Sequence, residues 1–401
     1  MLTQQEQYEK IFELWERGGY QTKCYKEKLA ENGMQDIKVD CIEKFKKLPF
    51  MTKDDLRNSE PDERTNCSQN EILSYFSSTG TTGEKTVYAF SKEDKRIQEY
   101  VTRKVYEPLG MNEEDLGLIA VPINSGNMGH SMIWQYMVMG GGFYVCDDTG
   151  LENIRYALKK LPVTTLSTLP SLAMLMNNSQ KDRNIAAMST IKRLILGGDS
   201  LSPARRRTLE ELYKAKCYNS FGMSEIFGPI ASECLEQDGM HYCDDVLFIE
   251  VLNPDTLEEV GEGETGIAVY TTLWKKGSPL IRYMTDDLVC VTKKTCSCGS
   301  DLPRFYHKGR LSFSRRMRSG KIVSTYDIEQ LLYMQGYSCS YYVGERTDGT
   351  YNLHVPCNVI RGVADEEKLK KYMSDLMESD CEIQCDCPPS YEYKNHCFRS
   401  E

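Results

Sequence analysis

A run of hydroxyl side chains and glycines between positions 77 and 83 carries the clearest chemical signal in this sequence. Its members are Ser77, Ser78, Thr79, Gly80, Thr81, Thr82 and Gly83, and Lys85 follows closely. Glycines let backbone N–H groups approach an anion, and hydroxyls donate hydrogen bonds to phosphate oxygens. A flexible polar linker is the alternative, but strand-like apolar segments flank the run on both sides. We therefore predict a phosphate-binding loop.

The spacing within this loop excludes a Walker A motif, which requires Gly-x-x-x-x-Gly-Lys followed by Ser or Thr. Here Gly80 and Gly83 are three positions apart, and Lys85 follows Glu84 instead of a glycine. The predicted loop is therefore a phosphate loop of another kind.

Cysteine and histidine side chains supply a second chemical signal, in this case for a metal. Three thiolates and one imidazole suit a closed tetrahedral Zn²⁺ site, and the residues that could provide them are Cys234, His241, Cys296 and Cys298. Their spacing is not that of a standard zinc finger, so buried free cysteines beside a surface histidine remain the alternative. Cys243 could replace one ligand. We expect no metal at a second group, which comprises Cys381, Cys385, Cys387, His396 and Cys397.

The composition limits the class of protein to which these residues belong. Of 401 residues, 40% are hydrophobic and 27% are charged, as in a globular protein and unlike a disordered one. With 49 Lys+Arg against 59 Asp+Glu, the net charge is −10, and we expect no nucleic acid partner. The sequence shows no apolar run that could cross a membrane and no signal-peptide core. We expect a cytoplasmic protein with reduced cysteines and no membrane partner.

The elements that must position these residues follow an α/β pattern. Between about 115 and 200, short apolar runs alternate with helical patterns, which predicts a mostly parallel sheet. From 246 to 292 the pattern changes to strands separated by turns, which predicts antiparallel strands in a barrel or a distorted sheet. Residues 324–334 and 364–377 are amphipathic and enclose two short strands, as in a small α+β unit. The length allows two to three domains.

Four motifs in order along the chain resemble those of the adenylate-forming (acyl-CoA synthetase/ligase) superfamily, and within it the phenylacetate–CoA ligase-like branch. The motifs are the loop SSTGTTGEKT (77–86), SFGMSE (220–225), LIRYMTDDL (280–288), and GR (309–310) followed by GKIVSTYDIE (320–329). The resemblance covers nearly the whole chain. It implies an α/β fold with a large N-terminal adenylate-forming domain at 1–308, with mostly parallel sheets and a small barrel-like part, and a mobile C-terminal α+β lid at 309–401.

The resemblance implies a two-step reaction. A carboxylate attacks the α-phosphate of ATP, pyrophosphate leaves, and a thiol then displaces AMP from the acyl-adenylate. Coenzyme A is the favoured thiol. A carrier-protein thiol or an amine is the first alternative, and a non-catalytic nucleotide- or acyl-adenylate-binding protein is the second. A small carboxylic acid is thus the expected substrate, and a homodimer stays open.

The resemblance also assigns roles to residues. Glu225 is expected to hold Mg²⁺, Ser224 to contact the α-phosphate, Phe221 to stack on adenine, and Asp287 to bind the ribose hydroxyls near Arg310. Thr79, Lys85, Glu225 and Lys394 are the predicted catalytic residues. The predicted ATP- and AMP-binding residues are Ser77, Ser78, Thr79, Gly80, Thr81, Thr82, Gly83, Gly198, Asp199, Asn219, Ser220, Phe221, Gly222, Met223, Ser224, Asp287 and Arg310. In related members, a Gly-x-His segment after the adenine motif accompanies Cys-x-Cys-Gly, which supports the zinc interpretation.

Several positions depart from the family pattern. Asp286 replaces the glycine before the ribose aspartate, and Ser312 with Phe313 replaces the acidic pair after Gly-Arg. Asp199 stands where a glutamate is frequent, and Lys394 lacks the preceding glycine. These changes affect the groups expected to act in the second step.

The acid pocket is predicted from the segments near 124–135, 197–199 and 219–228. His130 and Trp134 are four positions apart on a helical pattern and could line one wall, with Gly197 as a further contact. The segment 124–136 differs from the aromatic and glycine-rich one of the phenylacetate branch. An aryl acid, a small aliphatic acid and an amino acid all remain open as substrates.

Overall fold

The structure is a computed structural model, and it describes most of the chain. The described residues are 1–18, 20–78, 85–121, 123, 127–146, 151–178, 190–338, 340–356, 366–386 and 398–400. Five members of the predicted phosphate loop, Thr79 to Gly83, lie outside these ranges, as does Lys394.

Eleven α-helices are present in the described residues. They are α1 (Gln4–Glu16), α2 (Lys23–Glu31), α3 (Ile42–Lys46), α4 (Lys53–Arg57), α5 (Lys92–Tyr106), α6 (Met128–Met139), α7 (Leu151–Lys160), α8 (Pro170–Asn178), α9 (Pro203–Tyr213), α10 (Thr325–Met334) and α11 (Glu366–Met377). None of the helices in the described part of the chain has both the length and the apolar content that crossing a bilayer would require.

In the first part of the chain helices separate most strands, whereas from 216 to 292 the strands follow one another without a helix between them. The first twelve strands are β1 (Ile72–Ser77), β2 (Val87–Ser91), β3 (Leu116–Ala120), β4 (Gly142–Cys146), β5 (Thr165–Thr168), β6 (Arg193–Gly197), β7 (Lys216–Gly222), β8 (Pro229–Glu233), β9 (Met240–Tyr242), β10 (Leu247–Leu252), β11 (Thr265–Thr272) and β12 (Tyr283–Thr292). The remaining strands are β13 (Arg304–Arg310), β14 (Ser314–Arg316), β15 (Ile322–Ser324), β16 (Tyr342–Glu345), β17 (Tyr351–His354), β18 (Cys381–Gln384) and β19 (Phe398–Ser400).

The chain folds into two compact units. Unit 1 comprises Met1–Thr149, Tyr218–Thr285 and Val289–Tyr306, and unit 2 comprises Gly150–Cys217, Asp286–Leu288 and His307–Glu401. Unit 2 thus combines the C-terminal segment with residues from the middle of the chain. The domain boundary at 308/309 stays a prediction.

Unit 1 contains a parallel pair, β3 and β4, and a series of mainly antiparallel strands. The parallel pair is joined through α6 and aligns Leu118 with Tyr144. The strands of the series run in the order β10-β11-β12-β13-β9-β8-β7. Aromatic and aliphatic side chains of α1 to α4 pack with the segment 280–283 in one hydrophobic core. This core fixes the chain next to β12.

Unit 2 contains the parallel pair β5 and β6 and a mixed four-stranded sheet of order β18-β17-β16-β19. Apolar side chains of α10 and α11 cover that sheet, and the core they share includes Ile328, Leu353 and Met373. Helices α9 and α10 also pack against each other. The two helices that the amphipathic patterns predicted thus cover the four-stranded sheet of the C-terminal α+β region.

The predicted α/β class is confirmed. In β3–α6–β4 and β5–α8–β6 a helix connects two parallel strands, as the alternating pattern predicted. The antiparallel region from 246 is confirmed by the pairing of Leu247 with Thr272. Its predicted barrel-like character is not found, because the described strands follow one another in an open order without closure.

Candidate active site

Strand β7 carries the predicted adenine motif and presents it at its C-terminal end. The Tyr106 hydroxyl lies 2.6 Å from Ser220 Oγ, and the Asn219 N–H donates to Glu233 Oε2 at 2.7 Å. The Phe221 ring stands edge-on to Phe305 at 5.3 Å between centroids. These contacts within unit 1 fix the strand up to the point where Gly222 and Ser224 follow.

A tight turn from Met223 to Gly228 comes directly after this strand. The N–H groups of Ile226 and Phe227 both donate to the Met223 carbonyl, at 3.2 and 3.0 Å. A Cβ at position 222 would come within 2.4 Å of the Gly228 carbonyl oxygen, so only glycine fits there. Phe227 adopts φ 77°, a left-handed conformation that costs an L-residue roughly 1–2 kcal/mol.

Aromatic packing accompanies the strained conformation of Phe227. Its ring centroid lies 4.6 Å from that of Phe76 and 4.0 Å from that of Phe90. Both partners belong to the hairpin that flanks the phosphate loop. The turn that presents Glu225 is therefore packed against the strands that present the loop.

The Glu225 carboxylate is buried and has no ion-pair partner among the described residues. Its Oε1 accepts one long hydrogen bond, at 3.5 Å, from the Tyr283 hydroxyl. Burial and the neighbouring Glu225 charge raise the pKa of Tyr88. The buried Tyr88 hydroxyl lies close to both the Thr86 hydroxyl and the Glu225 carboxylate. Buried polar oxygens of this kind normally bind water or an ion.

Lys275 approaches the same turn from the segment that follows β11. Its Nζ donates a hydrogen bond to the Glu225 carbonyl oxygen. Burial lowers the pKa of Lys275 to about 8, although Asp94 and Glu225 act in the opposite direction. The backbone of the motif is thus bound by a side chain about fifty positions away in sequence.

The base of the phosphate loop is a regular hairpin. Strands β1 and β2 pair up to Ser77 and Val87. The Ser78 N–H then donates to the Thr86 carbonyl at 2.9 Å, and Ser78 Oγ accepts from the Thr86 N–H at 3.1 Å. Lys85 is exposed. The hairpin therefore brings the two ends of the predicted loop together.

Unit 2 contains the predicted ribose-binding aspartate. Asp287 Oδ1 lies 3.0 Å from His307 Nε2 and 3.4 Å from Arg310 Nε. Burial would raise the pKa of Asp287, but the hydrogen bond from His307 and the charge of Arg310 hold it below its ordinary value. The Asp287 carboxylate is therefore already bound by two side chains of unit 2.

Two positions that depart from the family pattern contact each other in unit 2. The Ser312 N–H donates to Asp286 Oδ1 at 2.9 Å, and the Ser312 hydroxyl donates to Asp286 Oδ2. Asp286 and Ser312 are thus hydrogen-bonded to each other.

Asp199 belongs to a buried ionic cluster in unit 2. Arg205 contacts Asp199 Oδ2 at 3.3 Å and Glu329 Oε2 at 2.9 Å, and all three side chains are at most 2% exposed. Asp199 also accepts the Ser171 N–H at 2.9 Å. Burial raises the pKa of Glu329. The Asp199 carboxylate is thus already bound to protein groups, and Gly197 and Gly198 precede it at the end of β6.

His130 and Trp134 lie one turn apart on α6, and their place in an acid pocket stays a prediction. His130 is exposed, and its ring lies edge-on to Phe76 at 5.9 Å. Lys95 places its ammonium group 5.1 Å from the Trp134 ring. His130 therefore lies close to the phosphate-loop hairpin within unit 1.

The four predicted zinc ligands come together in unit 1. All four ligand atoms lie within 4.8 Å of one another. Cys234 Sγ and Cys296 Sγ are 3.8 Å apart, and Cys298 Sγ lies 3.4 Å from His241 Nε2. Burial lowers the pKa of His241, and its Nδ1 donates to the Leu302 carbonyl at 3.1 Å. This tautomer leaves the Nε2 lone pair directed at the cysteines.

Other cysteines do not join this group in the described part of the chain. Cys243 is buried and is not a member of the four-residue cluster. Cys387, His396 and Cys397 lie outside the described residues.

Sequence reasoning missed several residues that surround the predicted ones. They are Tyr88, Phe227, Lys275, His307 and Glu329. Only Glu329 belongs to a quoted motif, GKIVSTYDIE (320–329), and no role was predicted for it. Lys275 is followed by a second lysine, so no sequence signal distinguishes the buried ammonium group from the exposed one.

Known proteins resemble this chain over much of its length. The model of the AMP-binding enzyme family matches residues 19–272. Phenylacetate-coenzyme A ligase of Thermus thermophilus is 29% identical over 291 residues, which cover 69% of this chain and 62% of that protein. The Pseudomonas putida phenylacetate-coenzyme A ligase is 27% identical over 269 residues, which cover 66% and 61%. The alignments thus span less than two thirds of either relative.

A solved structure shows the same fold. It is a 2-hydroxyisobutyryl-CoA ligase in the postadenylation state in complex with 2-HIB-AMP. The match has a TM-score of 0.82 at 18% identity and covers 96% of this chain and 86% of that chain.

Proposed function

This chain belongs to the AMP-binding enzyme family, and we propose that it activates a carboxylic acid with ATP to an acyl-adenylate and then transfers the acyl group to coenzyme A. The observation that supports this most directly is the buried Glu225 carboxylate, which has no ion-pair partner in the described residues and follows a motif of that family. The relatives named as phenylacetate-coenzyme A ligases support coenzyme A as the acceptor.

In the first step, a carboxylate oxygen attacks the α-phosphorus of ATP, the bond to the β-phosphate oxygen breaks, and pyrophosphate leaves. Two anions meet in this step, so the negative charge on the phosphates must be neutralised. The glycines and hydroxyls of the loop 77–83 would bind the β- and γ-phosphates. Ser224 would donate to the α-phosphate.

Mg²⁺ is the cation that the family implies, and the residues of unit 1 fit it. Mg²⁺ prefers oxygen ligands and neutralises phosphate charge when it is bound. Glu225 would hold it, because its carboxylate is buried without a close ion pair among the described residues and lies near the Tyr88 and Tyr283 hydroxyls. Phe221 would offer an aromatic face to adenine.

In unit 2, Asp287 would accept hydrogen bonds from the ribose hydroxyls. His307 and Arg310 already contact this carboxylate, so it would serve as an acceptor and not as a metal ligand. Arg310 is half exposed, which leaves its guanidinium group able to contact a nucleotide phosphate. Roles for Lys85, Lys394 and Asp199 stay predictions.

We also propose that Cys234, His241, Cys296 and Cys298 bind one structural Zn²⁺. A Zn–S bond of about 2.3 Å in a regular tetrahedron requires about 3.8 Å between two sulfurs, which is the distance between Cys234 Sγ and Cys296 Sγ. His241 is fixed through Leu302 in the tautomer that a metal needs. With four protein ligands the site is closed, so its role would be to stabilise β9 and the loop before β13.

Metal analysis tests the zinc proposal. Protein purified without chelator should contain about one Zn²⁺ per chain, and the double variant Cys296→Ser, Cys298→Ser should lose it and melt at a lower temperature. Cys243→Ser serves as the control, because this buried thiol is outside the cluster. Metal-free, well-folded wild-type protein would contradict the proposal.

ATP–pyrophosphate exchange with a panel of carboxylic acids tests the first step. Acid-dependent exchange supports adenylation, and its absence with every acid class favours a non-catalytic binding protein. AMP release with coenzyme A, with a carrier protein or with an amine then identifies the acceptor. A homodimer and a cytoplasmic location stay predictions.

A further inference from the structure

The turn that carries Glu225 cannot keep its conformation through local contacts alone. Phe227, two residues after Glu225, has φ 77°. Strained backbone of this kind persists only where surrounding structure determines it. Phe76 and Phe90 pack against Phe227 on one side of the turn. Lys275 binds the Glu225 carbonyl oxygen itself.

Lys275 is in turn held by an anchored loop. Asp94, near the start of α5, accepts the N–H groups of Lys276 at 2.6 Å and Gly277 at 2.8 Å. A Cβ at position 277 would lie 2.5 Å from the Ala89 carbonyl oxygen, so the loop fits closely against β2. The loop that carries Lys275 is therefore fixed to the same strand that follows the phosphate loop.

The Lys275 ammonium group interacts with the charges of Asp94 and Glu225 but forms no close ion pair among the described residues. No carboxylate of the described residues forms an ion pair with its Nζ, whereas the adjacent Lys276 pairs with Glu71 at 2.7 Å on the surface. A charged donor forms a stronger hydrogen bond to a carbonyl than a neutral one. The two lysines thus have different environments although they are neighbours in sequence.

We propose that Lys275 is a positioning residue for adenylation, whose ammonium group fixes the Glu225 backbone so that the carboxylate faces the hydroxyls of Tyr88 and Tyr283. This inference rests on the proposed function, because it assigns Glu225 to the cation. Lys275 acts through the backbone of Glu225, and contact with substrate is not part of its role.

The test compares Lys275→Met with Lys276→Met, which removes an exposed lysine from the next position. Lys275→Met should raise the Mg²⁺ concentration for half-maximal pyrophosphate exchange about tenfold, as is typical when a residue that orients a metal ligand is lost. The KM for the acid should stay at the wild-type value. Lys276→Met should match wild type in both, and Lys275→Arg should recover most of the cation affinity.

Mn²⁺ binding in the presence of ATP and without acid, followed by electron paramagnetic resonance, gives a second measurement that does not need turnover. Lys275→Met should bind Mn²⁺ about tenfold more weakly. If this variant does not fold, Lys275→Gln replaces it, because its amide keeps a donor without the charge. The proposal would be overturned if either folded variant bound Mn²⁺ with wild-type affinity. It would also be overturned if the variant lost cation affinity, acid affinity and thermal stability together. Absence of exchange in wild type would contradict the proposed function alone, since the Mn²⁺ titration still tests Lys275.

Discussion

Glu225 in unit 1 and Asp199 and Asp287 in unit 2 are three buried carboxylates that resemble nucleotide-binding residues, yet their surroundings differ. Glu225 has a tyrosine hydroxyl at 3.5 Å and no ion pair within the described chain. Asp287 contacts His307 and Arg310. A carboxylate without a cation can take one from solution, whereas a neutralised carboxylate can only accept hydrogen bonds. The comparison therefore supports the proposal that Glu225 in unit 1 holds the cation.

Asp199 shows a third situation. Arg205 and Glu329 enclose it, and its side chain is fully buried. A buried ionic cluster of this kind fixes structure, because loss of one member leaves an uncompensated charge. Asp199 stands where the family often has a glutamate, and its contacts indicate a structural role within unit 2.

The largest effect is expected from Arg205→Met, which would leave Asp199 and Glu329 buried together without a cation. We expect the free energy of unfolding to fall by about 3–5 kcal/mol, measured by urea denaturation. Arg207→Met, on the exposed face of the same helix, is the matched control. Equal stability of the two variants would contradict the structural role of the cluster.

Glu225→Gln tests the other side of the comparison. The substitution keeps the shape and removes the charge, so pyrophosphate exchange should fall at least about 100-fold. The free energy of unfolding should not fall, because no ion pair of the described residues is broken. Exchange at the wild-type rate would contradict the role of Glu225 in holding Mg²⁺.

Asp287→Asn should have a smaller effect of a different kind. One oxygen remains as an acceptor, while the new amide places a donor against His307 and Arg310. We expect the KM for ATP to rise about tenfold while the Mg²⁺ dependence of exchange stays at the wild-type value. A change in Mg²⁺ dependence as large as that of Glu225→Gln would abolish the distinction between the two carboxylates.

The smallest effect concerns pH. The pKa of Asp287 is lowered in the folded protein, so this group stabilises the fold above its unfolded pKa, and the contribution is lost as the pH falls through the folded pKa. The difference in unfolding free energy between wild type and Asp287→Asn should therefore be constant near neutral pH and shrink below about pH 4. Urea denaturation along a pH series measures it, and a difference that grows in acid would contradict the assignment.

Patterns of residue type and local spacing were sufficient to predict many helices and strands of this molecule. The amphipathic segment 324–334 forms α10 within one residue of the prediction, and the amphipathic segment 364–377 contains α11. Parallel strand pairs follow from alternating patterns because a crossover helix must connect them. The prediction of a barrel-like part was wrong, since closure of a barrel depends on pairing between distant strands and not on the pattern of each strand.

The sequence by itself determined which residues could do chemistry: the hydroxyl and glycine loop, the motif ending in Glu225, Asp287, and three cysteines with one histidine. Only the tertiary structure decided which of the carboxylates lack a close ion pair with another side chain. Lys275 and His307 lie about fifty and twenty positions from the groups they contact, and no local pattern marks them. An ion pair or a hydrogen bond needs a few ångströms of approach in space, and the distance along the chain does not fix that approach. The fold therefore left the Glu225 carboxylate without a close ion pair among the described residues, placed His307 and Arg310 against Asp287, and enclosed Asp199 with Arg205 and Glu329.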